Sequence, residues 1–187
     1  MKIALIVEGP SDKRFFEKLY EQFYRHTQFE VFVRPAGGKP RIFNKAQHHF
    51  HSCIYGEGAD HVIFIVDIDQ STEVNTLAKF KINGDPSKYS VHVVIRELEA
   101  WFLADGNCLS KVLDTLYQPS GYTDKIENPK EKLQMMFKKK FGYILTEMEM
   151  VDKIIEHFSL DSASQYNNSA RKFKDKLSEF LLQGSPA

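Results

Sequence analysis

Four carboxylates stand where an apolar run gives way to a polar turn. Glu8 and Asp12 follow the run Lys2 to Val7 (KIALIV), and Asp67 and Asp69 follow Val62 to Val66 about sixty residues later. Acidic residues often follow strands simply because loops are polar, and any one of these four has that ordinary explanation. The joint pattern, Glu8-Gly-Pro-Ser-Asp12 after one apolar run and Asp67-Ile-Asp69 after another, is seldom produced by accident. Carboxylates brought close together raise one another's pKa and repel, so the cluster is costly unless a divalent cation shares it. Oxygen-only donors favour Mg2+ or Mn2+ over zinc. The chemistry such a cation supports is activation of water and stabilisation of charge on a phosphate, which makes phosphodiester hydrolysis the natural outcome.

The elements that must position these residues can be read from the pattern around them. The continuous apolar run KIALIV reads as a strand buried on both faces of a parallel sheet. Gly9, Pro10 and Ser11 break it, with Ser11 as N-cap of an amphipathic helix whose apolar positions are Phe15, Phe16, Leu19, Tyr20 and Phe23. Phe29 to Val33 reads as a second strand, Pro35 to Pro40 as a turn and Ile42 to Tyr55 as a helix. Val62 to Val66 is a third strand, Glu73 to Ile82 a weaker helix and Tyr89 to Ile95 a fourth strand. This alternation predicts an α/β protein with a mainly parallel four-stranded sheet flanked by helices. In such a sheet the strand C-termini face one edge, so Glu8, Asp67 and Asp69 should converge there, with Asp12 one helical turn away. From Glu97 onward only helical patterns recur. Residues 1–105 are therefore expected to form the metal-binding domain, and residues 106–187 a helical extension packed on it.

Lys39, after Gly37-Gly38, could offer an ammonium and backbone N–H groups to a substrate phosphate, with Arg41 beside it. A solvated turn is the plainer explanation of both, because short glycine motifs are weakly specific. Glu97 and Glu99 bracket the exit of the fourth strand, and positions two apart diverge on a helix, so at most one should reach a shared ligand. Trp101, Phe102 and Leu103 read as core. His48, His49 and His51 read as surface residues, and Lys130, Lys132 and Lys138 to Lys140 as a solvated helix face.

Twenty-five basic and twenty-five acidic residues cancel, so a nucleic-acid partner would have to be held by a local basic patch. The two cysteines, Cys53 and Cys108, have neither disulfide-scaffold nor zinc spacing, which suits a reducing cytoplasm. The opening apolar run is too short for a signal-peptide core or a membrane span, so no membrane association is expected.

IVEGPSDKRFF followed by VIFIVDIDQS resembles the TOPRIM domain of topoisomerases, primases and OLD-type nucleases over roughly residues 1–105. The resemblance implies that Glu8, Asp67 and Asp69 form the catalytic magnesium site, with Glu8 a metal ligand or general base. Asp12, and Glu97 or Glu99, would add the further acids of the OLD-like branch. VIRELEAWFLAD and NNSARKF resemble an uncharacterised bacterial family of TOPRIM-like proteins often associated with ATPases in phage defence. The implied partners are nucleic acid and an ATPase. No tyrosine is assignable as a topoisomerase nucleophile. Three readings follow: a magnesium-dependent nuclease or related phosphotransfer enzyme; a non-catalytic interaction or effector module; and a HAD-like phosphatase, because IVDIDQS also resembles that motif. The third is weakened because the motif follows the third strand and no later paired Asp completes it.

Overall fold

The structure is a computed structural model that describes residues 1–23, 30–68 and 71–183. Asp69, part of the expected acidic cluster, and Phe29, the expected start of the second strand, lie outside the described residues. Four strands, β1 (Lys2–Val7), β2 (Glu30–Pro35), β3 (His61–Asp67) and β4 (Tyr89–Val94), form one parallel sheet in the order β2-β1-β3-β4. Ile3 to Val7 and His61 to Val66 are buried without alternation, as the continuous apolar runs require of strands covered on both faces. β1 is central: Ile6 pairs with Arg34 of β2 on one side and Phe64 of β3 on the other.

The helices are α1 (Pro10–Phe23), α2 (Lys39–Asn44), α3 (Ala46–His51), α4 (Glu73–Leu77), α5 (Glu99–Ala104), α6 (Gly106–Leu113), α7 (Pro129–Phe141), α8 (Glu147–Ile155), α9 (Leu160–Tyr166) and α10 (Asn168–Gln183). Two boundaries differ from expectation in ways that bear on the site. Helix α1 starts at Pro10 instead of after Ser11: the Gly9 carbonyl accepts the Lys13 N–H at 3.1 Å, and proline at the first helical position loses no hydrogen bond. The helix expected from Ile42 begins at Lys39, breaks at Lys45 and ends in a π-turn, Ser52–Gly56.

The chain divides into two compact units. The first holds residues 1–93 and the chain from Leu177 onward; the second holds Val94–Lys176, so the division falls twelve residues before the boundary at 105. In the first unit, Ala4, Ile6, Val62, Phe64 and Val66 pack against Ile42, Ala46 and Phe50. The end of α10 returns to this unit by stacking Phe180 on His61, ring centres 4.9 Å apart. The second unit is helical around fully buried Trp101, Leu103, Phe137 and Ile154. Both cysteines are buried and free, and burial pushes the Cys53 thiol up to about 11. Among the described residues no helix is long and apolar enough to cross a membrane.

Candidate active site at the sheet edge

Glu8 is the first residue past β1 and Asp67 the last of β3. The two strands run parallel side by side, so both residues reach the same edge of the sheet, and the Glu8 carboxylate accepts the Asp67 backbone N–H at 3.0 Å. The Glu8 carbonyl meanwhile accepts the N–H groups of Gly37 and Gly38 at 3.1 and 2.8 Å. Those glycines take φ of 84° and 108°, values side-chain-bearing residues rarely adopt, and so turn the chain from β2 back over the end of β1. Their N–H groups are therefore occupied by Glu8 and are not presented to a phosphate. What the turn delivers is Lys39, whose Nζ lies 3.8 Å from the Glu8 carboxylate. With side chains 21 % and 26 % exposed, this pair is less screened by solvent than a surface pair.

A pocket of about 430 Å³ opens beside Asp67, lined by Lys39, Phe43, Ser71, Thr76 and Lys79 among others. Arg41 does not line it; this exposed side chain lies over Gly37. Lys79 and Thr76 escaped the sequence reading because the short helix α4, capped by Thr72, carries little periodicity of its own. Their one signal was position, just beyond the polar loop that follows β3.

Asp12, the further acid of the expected set, has a partner within its own helix start. Its carboxylate reaches back to the Gly9 N–H at 2.8 Å, the third helical residue satisfying the N-cap donor as in half of a capping box.

Glu97 and Glu99 belong to the second unit and are described within it. Helix α5 starts only at Glu99, and Arg96 takes a φ of 69°, so the helical rule that positions two apart diverge does not govern this pair. Glu97 accepts the Lys130 N–H at 3.1 Å, serving the first turn of α7, where Asn128 makes no side-chain cap. Burial, with the Glu97 charge nearby, pushes the Glu99 carboxyl up to about 7. The Lys130 ammonium pairs with Glu147; although burial works against it, the surrounding carboxylates hold its pKa above the usual lysine value. Among the described residues no three His, Cys, Asp or Glu side chains are grouped to hold a metal ion. Glu8 and Asp67 supply two such residues, and Asp69 lies outside that set. Two carboxylates with only oxygen donors suit Mg2+, which commonly takes one or two carboxylates and keeps several waters.

The two motifs of the second half meet at Ser169, whose hydroxyl accepts the Trp101 indole N–H at 2.8 Å and the Ile95 N–H at 3.3 Å. That hydroxyl in turn donates to Asn167 at 2.8 Å. VIRELEAWFLAD and NNSARKF are thus joined by a buried polar network in the second unit.

A family model described as a domain of unknown function, DUF4276, matches residues 7–178. The chain belongs to the DUF4276 family. The matched span of this DUF4276 chain takes in Glu8, Asp67, the pocket and the Ser169 network. No curated protein and no solved structure matches it.

Proposed function

We propose that the chain is a metal-dependent phosphodiesterase acting on nucleic acid. The observation that carries this reading is the Glu8 carboxylate bound to the Asp67 N–H at the rim of a pocket holding two lysines. Glu8 and Asp67, with Asp69, would hold Mg2+ or Mn2+, which when bound supplies Lewis-acid activation of water and charge neutralisation. The protein's own groups do the rest. Lys39 and Lys79 would attract the phosphate, and Glu8, in the alternative to ligating the metal, would take a proton from the attacking water. Bonding of that water's oxygen to phosphorus breaks one P–O ester bond, and the leaving oxygen departs with the proton taken from the water. TOPRIM membership, an ATPase partner and phage defence form the setting that the sequence resemblance implies.

The test incubates purified protein with DNA and with RNA, in Mg2+, Mn2+ or EDTA, beside Asp67→Ala and Trp101→Ala. Cleavage should need the metal and vanish in Asp67→Ala. Trp101→Ala should lose stability by about 3–5 kcal/mol before it loses chemistry, because truncating a buried indole leaves a cavity. Wild-type cleavage by Asp67→Ala at equal metal concentration would replace the enzyme reading with that of a non-catalytic interaction module.

A further inference from the structure

We propose that the pocket beside Asp67 is a phosphate-monoester subsite that takes the phosphorylated end of a nucleic-acid strand between Lys39 and Lys79. The strand as ligand rests on the phosphodiesterase reading above; the affinity for a monoester does not. Lys39 and Lys79 both line the pocket, along with Ser71 and the buried Thr76, residue types whose hydroxyls suit a phosphate oxygen. A monoester carries roughly 1.5 to 2 negative charges at neutral pH, against one for an internal diester, so two lysines match it better.

Each lysine is positioned by something other than solvent. The Lys79 Nζ lies 5.2 Å over the Phe43 ring. Phe43 meets Phe80 edge-on at 5.2 Å, and Phe80 meets the buried core ring of Phe64 at 5.3 Å. A chain of aromatic contacts therefore ties one ammonium to the core, while Lys39 is tied to Glu8. One face of Phe43 is engaged by that ammonium, which holds the positive charge at the pocket and favours an anionic group there. Size points the same way. Duplex is bound along an extended surface because its charge repeats about every 1.7 Å, whereas about 430 Å³ suits a single terminal nucleotide. Asp67 is the one acidic side chain among the described lining residues, and without a cation it repels the anion.

Binding is measured in EDTA by fluorescence anisotropy. Labelled single-stranded oligonucleotides carry a 5′-phosphate, a 3′-phosphate or hydroxyl ends, and AMP and inorganic phosphate serve as competitors. A phosphorylated end should bind roughly tenfold or more tightly than the hydroxyl end, the scale of one charge-assisted contact. Lys79→Ala should erase that difference, Lys79→Arg should keep most of it, and Asp67→Asn should strengthen binding. AMP should compete at lower concentration than inorganic phosphate, which separates a strand end from a free anion. Equal binding of phosphorylated and hydroxyl ends, an unaffected Lys79→Ala, or equal competition by inorganic phosphate overturns the proposal. No metal is present and no bond is cut, so such a failure leaves the phosphodiesterase reading to its own Asp67→Ala test.

Discussion

The Asp12 carboxylate sits in the first turn of α1 with one oxygen on the Gly9 N–H, while Glu8, one turn earlier, binds the Asp67 N–H across the sheet. Residue type and spacing put both in one acidic set, and each accepts a backbone N–H, Asp12 at its own helix start and Glu8 from the neighbouring strand. Asp12→Ala should therefore cost about 1 kcal/mol through the lost helix-terminal bond, read as a lower urea midpoint, and the cost should be the same with and without Mg2+. Glu99 has the opposite character. Folding raises its pKa from 4.5 to about 7, so the folded protein holds this proton more tightly than the unfolded chain. By linkage, its contribution to stability is fully present below about 4.5 and is lost as pH rises through about 7. Glu99→Gln should melt above the wild type at about pH 8, by on the order of 1–2 kcal/mol once part exposure is discounted, and match it near pH 4.5. Thermal melts in EDTA across that range check the sign; an advantage that grows toward low pH would contradict it.

Among the elements, Ser169 at the start of α10 holds both the end of the β4 segment, through the Ile95 N–H, and the indole of Trp101 in α5. Replacing it with alanine leaves two donors without that acceptor. Ser169→Ala should lose about 1–3 kcal/mol and alter the emission of Trp101, the only tryptophan, before the main unfolding transition. Unchanged emission would mean that water or another acceptor takes over the indole N–H. β1 and β3 were legible because a strand buried on both faces writes an unbroken apolar run, and with it the positions of Glu8 and Asp67. The start of α1 was misplaced because Ser11 is a good cap in isolation, while Pro10 at the first helical position outranks it. Glu97 as a cap for α7 could not be read, since its partner Lys130 lies 33 residues away and only the tertiary fold joins them. Lys79 was missed for a related reason: α4 is too short to announce a face.

Over the whole molecule the charges cancel, so any binding of anions or cations must come from local arrangement, and the candidate in the first unit is the edge shared by β1 and β3. A cation held only by the folded chain adds stability by mass action, about 2.7 kcal/mol at a hundredfold excess over its Kd. It also relieves repulsion between the carboxylates. Mg2+ or Mn2+ should therefore raise the wild-type Tm, and Asp67→Asn should show a much smaller increment. The bond from the Asp67 N–H to Glu8 is made by the backbone, so asparagine keeps it and changes only the charge of the side chain. In EDTA the variant should melt at or slightly above the wild-type temperature, because one negative charge has left the edge beside Glu8. Asp12→Ala is the control from the same acidic set: it should melt lower and keep the full metal increment. If Asp67→Asn responds to the metal as strongly as the wild type, the cation is bound away from this edge; if Asp12→Ala loses the response, Asp12 belongs to the metal site after all.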